Sequence, residues 1–333
     1  MKSNLQNSTT YKSKEILTAS RYLSGSFVLG KMMSGWNVTV CFLLLLFFGS
    51  VQAQSFLIPS DTLNKQRRTL VYASEGVVLG GALIGLNQLW YKDYPRSGFH
   101  FKNDNSDWMQ MDKAGHVYTA YHMGRMGAEL LEWSGADKKE QLVYGSTLGF
   151  AFLTAVETFD GFSQEWGASW GDVVANASGT LLYVSQELLW KEQRITPKFS
   201  FHTTRYAAMR PDVLGKDLKE QLLKDYNGQT YWLSANIQAF TKTEMLPEWL
   251  SFAVGYSAEG MLSGRAETLP PEFASESGRY RQILFSLDID FKKIKTKSPV
   301  LKTVFSILNT VKIPAPALEL SDFSRLRGHW LYF

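Results

Sequence analysis

Residues 111–133 read MDKAGHVYTAYHMGRMGAELLEW, a stretch expected to form a helix opened by the carboxylate of Asp112. Asp112 and His116 stand four residues apart and so share one helix face. Residues 156–182, VETFDGFSQEWGASWGDVVANASGTLL, repeat the pattern twice, with Glu157 and Asp160 three apart and Asp172 and Asn176 four apart. Polar pairs at helical spacing within apolar runs mark this region as the candidate site.

Outward from it, Leu142–Phe159 is expected to be an apolar helix broken at Asp160-Gly161, and Asp172–Trp190 another carrying small residues. Phe162–Trp170 between them reads as a Gly- and Ser-bearing loop, and Tyr91–Trp108 as a loop by its Pro, Gly, Asn and Asp content. Before that loop, Leu70–Tyr91 (LVYASEGVVLGGALIGLNQLWY) carries one charge, Glu75, in 22 residues. Its length fits a membrane-crossing helix with a Gly80-Gly81-Gly85 packing face, and equally a buried helix of a soluble bundle.

After Lys191 the composition shifts. Pro211–Tyr226 is expected to form one charged amphipathic helix stopped at Asn227-Gly228. Tyr231–Phe240, Leu250–Tyr256, Gln282–Phe291 and Ala315–Leu320 alternate or run apolar as strands do, interrupted by an amphipathic helix at Val300–Leu308. The chain ends on an aromatic segment, Arg327–Phe333, resembling the closing strand of an outer-membrane barrel. Four to six candidate strands fall short of the eight such a barrel uses, which favours a small antiparallel sheet packed on the bundle. The fold class expected is therefore α+β: an apolar helical bundle (54–200) followed by a smaller α+β region with antiparallel strands (201–333).

Residues 1–53 read as a leader. Lys31 precedes VTVCFLLLLFF (Val38–Phe48), which has signal-peptide length and is too short for a bilayer span, with small residues at Val51 and Ala53. Cleavage is expected before Gln54, with Met32 or Met33 as an alternative start. The leader holds five basic residues against Glu15, which accounts for the whole net charge of +4 and leaves a neutral remainder. Neutrality gives no support to nucleic-acid binding. Cys41, the one cysteine, lies in the apolar part of the leader, so thiol nucleophiles, disulfides and cysteine-ligated metals are excluded beyond it. The localisation expected is exported, periplasmic and membrane-associated, with the outer membrane preferred to the inner.

Three readings of the polar pairs stand side by side: a structural network, a metal or catalytic site, and recognition of a polar headgroup. Asp112 and Asp172 could each simply cap a helix, worth about 0.5–2 kcal/mol. Glu157 resists that reading, because it interrupts LGFAFLTAVETF, where an unpaired charge costs several kcal/mol. Lys113, His116 or a metal are its candidate partners. In the metal reading, His116, Glu157 and Asp172 hold a divalent ion and Asp112 or Asp160 either supports those ligands from behind or serves as general base, with Lys113, Ser169 and Asn176 as binding residues. His122 falls off the face of His116, and His100, His202 and His329 are scattered and read as structural. Ser163 and Ser169 lack a nucleophile elbow, and no phosphate loop, dinucleotide fingerprint or zinc-protease motif occurs.

The series Asp112-Lys113-x-x-His116, Glu157-x-x-Asp160 and Ser169-x-x-Asp172-x-x-x-Asn176-x-x-Gly179 resembles the YfiM-type family of predicted periplasmic lipoproteins. Its order is also similar to that of VanZ-like membrane proteins, with Asp160 where their pattern has Gln. The resemblance covers about residues 70–195 and implies a cell-envelope location without supplying an activity. The function expected is that of an exported envelope protein, membrane-associated and binding lipid or an envelope partner. The alternative is a metal-assisted hydrolase or transferase acting on an envelope lipid or glycan.

Overall fold

In helix α1 (Lys65–Leu86), Asn64 accepts the Arg67 N–H at the N-terminus. The helix begins five residues before the expected start at Leu70, because Asn64 supplies a cap that hydropathy does not register. A computed structural model describes residues 56–92, 94–276 and 278–333. The leader, its cleavage site and Cys41 lie outside these residues. Ile58–Phe333 makes one unit by its internal contacts.

Three further helices form the bundle: α2 (Met111–Trp133), α3 (Leu148–Gly161) and α4 (Trp170–Leu189). They approach closely because glycine faces backbone. A Cβ on Gly149 would lie 2.4 Å from the Ala120 carbonyl oxygen, and one on Gly179 would lie 2.2 Å from that of Val117. This brings both partner helices against the face of α2 that carries His116. Helix α3 ends where the break was expected, at Asp160-Gly161: Gly161 is its last residue and the Phe162 N–H donates to the Phe159 carbonyl at 3.1 Å. Its entry is the irregular end: a π-turn at Gln141–Gly145 and a turn precede it.

The second half is a six-stranded antiparallel meander in sequence order: β1 (Ile195–Phe201), β2 (Gln229–Asn236), β3 (Leu250–Glu259), β4 (Tyr280–Ile289), β5 (Ala315–Ser321) and β6 (Arg325–Tyr332). Helix α5 (Pro299–Leu308) lies between β4 and β5. The α+β class holds. The expected helix at Pro211–Tyr226 is two short pieces, Pro211–Leu214 and Leu218–Lys224, because Gly215 takes φ of +104° and Asp217 caps the second. The sheet curls until its first strand meets the approach to its fifth. Phe199 donates its N–H to Thr310 at 3.1 Å and accepts from the Lys312 N–H at 2.9 Å.

The inside of this barrel-like sheet is largely polar around a small apolar cluster of Trp232, Ala253, Leu284, Ala317 and Tyr332. Paired residues share a face, so one row runs Asn236, Ser251 and Asp288, and another Ser234, Ala253, Ser286 and Ala317. These inward residues are buried, and inside the curl Lys198 pairs with Asp288 at 2.8 Å with both side chains at most 1% exposed. The alternate rows, Leu233, Val254, Phe285 and Leu318, and Phe252 with Leu287, point outward and are exposed. Near β1 and β2 the outer face is covered by α2, where Tyr231 abuts Gly115 and ring-packs with Tyr118 and Phe199. Tyr256 of β3 packs at the Met109–Met111 entry to α2; beyond it the outer face of β3 to β6 is bare, and a groove of about 530 Å³ there is lined by Phe252, Phe285, Leu287, Leu318 and Trp330.

Candidate functional site

The helix that carries Asp112 and His116 is entered through strained backbone. Trp108, Met109 and Gln110 all have positive φ, 48°, 51° and 65°. A left-handed non-glycine residue costs on the order of 1–3 kcal/mol, so neighbours must hold the turn. They come from the sheet end of the molecule: the Trp108 N–H donates to Gly264 at 2.8 Å, the Tyr256 hydroxyl donates to the Met109 carbonyl, and Arg281 donates to Gln110 Oε1 at 2.8 Å. The barrel thus sets the angle at which α2 delivers its first turn.

The three spaced pairs meet around His116. Its Nε2 lies 3.8 Å from Asp112 Oδ1, 3.8 Å from Asp172 Oδ1 and 3.9 Å from Glu157 Oε1. Its Nδ1 is 2.9 Å from Asn176 Oδ1. Lys113 Nζ sits beside this ring of oxygens, 2.7 Å from Asp104, 2.9 Å from Asp172 and 3.2 Å from Asp112. Ser169 ties the loop to the helices. It donates its N–H to Glu157 at 2.9 Å and its hydroxyl to Asp104 at 2.5 Å, and its Oγ accepts the Asp172 N–H at 3.2 Å.

Capping explains neither aspartate. The residue before α2 is Gln110, with no side-chain cap, and the cap of α4 is Ser169. Asp112 and Asp172 occupy first turns and direct their carboxylates at Lys113 and His116. Asp160 stands apart from the ring, accepting the Tyr91 hydroxyl at 2.7 Å. His122 is buried, with Nε2 2.7 Å from the Pro197 carbonyl, and burial with the Arg125 charge lowers it to about 3, so it stays neutral.

Two contributors carry no periodic signal in the sequence. Asp104 comes from the loop before α2, and Tyr226, whose hydroxyl donates to Asp112 at 3.0 Å, follows the helical piece Leu218–Lys224. An isolated aspartate in a polar loop and a tyrosine at a helix end offer no spacing to read.

The carboxylates divide electrostatically. Burial, reinforced by the Asp172 charge and opposed by the Ser169 N–H, pushes Glu157 up to about 8. Burial and the Asp112 charge raise Asp172 to about 7. Burial raises Asp160 to about 6. Burial also acts against the charged forms of Asp112 and Asp104, but it is outweighed. His116, Lys113 and the Tyr226 hydroxyl hold Asp112 below the usual range, and Lys113 with Ser169 does the same for Asp104. Burial opposes charge on His116, yet Asp112 and Asp172 hold it above its ordinary value. Pairs pushed apart in this way suit proton transfer near neutral pH.

Residues 98–186, which span all of these groups except Tyr91 and Tyr226, match the model of a family described as predicted periplasmic lipoprotein (DUF2279). No curated protein and no solved structure matches the chain. The family match supports an exported, periplasmic protein of the cell envelope.

Proposed function

We propose that the protein is a membrane-associated envelope protein, of the outer membrane, that contacts lipid through the bare outer face of its barrel and through α1. The observation that carries this reading is the largely polar interior and apolar outer face of the sheet. Burying Lys198, Asp288, Ser234 and Asn236 while exposing Leu233, Phe252, Phe285, Leu287, Leu318 and Trp330 is unfavourable in water. In lipid it is the favoured arrangement, the one that membrane barrels use.

Two helices agree. By length and composition α1 is able to cross a membrane, about 33 Å at 1.5 Å per residue, and its Val77, Val78 and Ile84 are bare. Helix α5 turns Leu301, Val304 and Ile307 outward while Ser306 bonds Arg125 beneath it. The test is fractionation of envelope from cells making the full chain. The protein is expected in the membrane pellet, retained through high salt and carbonate and released by detergent. A protein wholly soluble without detergent overturns the reading.

A further inference from the structure

We propose that Asp112, His116 and Asp172 form a binding site for a divalent transition-metal ion, zinc or manganese, with Glu157 on its fourth side. This site is independent of the lipid-facing surface. The argument begins with the imidazole. Asn176 presents its amide oxygen to Nδ1 at 2.9 Å, and an amide oxygen only accepts, so Nδ1 carries the proton. The Nε2 lone pair then points away from α4 into the ring of carboxylates, and the amide fixes the ring as an outer-shell partner does for a metal-ligating histidine.

Nε2 meets no carboxylate at hydrogen-bond distance. The oxygens of Asp112, Asp172 and Glu157 surround it at 3.8–3.9 Å, beyond a hydrogen bond. That spacing is a few tenths of an ångström above the roughly 3.4 Å edge of a tetrahedral site with bonds near 2.0–2.2 Å. One donor atom from each of Asp112, His116 and Asp172 lies within 4.8 Å of the others.

A second observation concerns the Asp172 carboxylate. Asp172 is 4% exposed, and its Oδ1, the atom facing His116, has no aligned hydrogen-bond donor among the described residues. Lys113 lies 2.9 Å from it as a charge partner but hydrogen-bonds the other oxygen, Oδ2, at 3.0 Å. Asp112 divides its oxygens in the same way, Oδ2 to Lys113 and Oδ1 to the Tyr226 hydroxyl, with a lone pair of Oδ1 left toward His116. The ligands rise from two helices, with Glu157 from a third, as in helical-bundle metal sites. One imidazole with carboxylates in a compact cage suits zinc or manganese better than calcium, which takes six to eight oxygens at longer bonds. Binding displaces any proton on Nε2.

The test uses the purified full chain in detergent, incubated with zinc chloride or manganese chloride, dialysed, and measured by elemental analysis with circular dichroism as the check on folding. Close to one equivalent of metal per chain is expected, together with a rise in unfolding temperature on adding the metal. His116→Ala and the isosteric Asp172→Asn are expected to lose at least ten-fold in bound metal and to show no such rise. Folded wild-type protein that retains neither ion overturns the proposal, as does a folded His116→Ala or Asp172→Asn variant that retains as much as wild type. The measurement is made in detergent, so its failure is distinct from failure of the lipid-contact reading.

Discussion

Lys113→Met removes one charge from the centre of the site while keeping most of the apolar stem. In the native protein the ammonium lies within 3.2 Å of Asp104, Asp112 and Asp172, and its side chain is 14% exposed. Deleting one partner of a buried ion pair costs about 3–5 kcal/mol, because the remaining charge stays desolvated. Asp104 and Asp112 are 21% and 27% exposed, which places the expected loss at the lower end, about 3 kcal/mol. At about 2–4 °C per kcal/mol for a chain of this size, the unfolding midpoint falls by roughly 6–12 °C. The assay is thermal unfolding in detergent at pH 7, with Lys139→Met, at an exposed lysine, as the control expected within about 0.5 kcal/mol of wild type. The pH dependence follows from the sign of the shifts. Asp104 and Asp112 are held below their ordinary 3.8, so their contribution is present above that value and is lost as pH falls through the lower folded value. The deficit of Lys113→Met is therefore largest at neutral pH and closes in acid below about pH 4. A loss under about 1 kcal/mol at pH 7, the value of a surface pair, refutes the reasoning, as does a deficit that persists unchanged in acid.

Lys198→Met leaves Asp288 unpaired inside the barrel and is expected to cost about 3–5 kcal/mol, most of it restored in the Lys198→Met/Asp288→Leu double variant; a double variant no better than the single one contradicts this. Glu157, raised from 4.5 to about 8, gives stability that is full below its unfolded value and lost as pH rises through 8. Glu157→Gln is thus expected to flatten the fall in stability between about pH 5 and pH 8 on a melting-temperature profile, and an unchanged slope counts against it. Leu287→Arg and Leu318→Arg on the bare outer face are each expected to cost up to about 2–4 kcal/mol in lipid, read as loss from the membrane fraction or a lower unfolding temperature in bilayers; neutrality in bilayers contradicts lipid contact.

Much of the helical half was legible because its chemistry repeats at helix period. The expected bounds of the Met111–Trp133 helix coincide with those of α2, and the three polar pairs meet because glycines let the helices close on His116. Strand β1 gave no such signal. Its sequence ITPKFSF puts a proline, which cannot donate to the ladder, and a lysine in mid-strand, and the pairing of Lys198 with Asp288 inside the curl accounts for the lysine. The alternation in β2 to β5 was visible, but period two does not say which face is inside. That depends on closure of the sheet at Phe199 and Lys312, a contact made across more than a hundred residues.

Flotation is the most direct measurement of lipid contact by the barrel. The full chain, purified in detergent and diluted into liposomes of phosphatidylethanolamine and phosphatidylglycerol, is centrifuged through a density gradient. Wild type is expected to rise with the lipid and to stay there after a carbonate wash, while Leu287→Arg/Leu318→Arg is left behind in larger part. Folded wild-type protein that remains at the bottom of the gradient with its native circular dichroism would contradict the account.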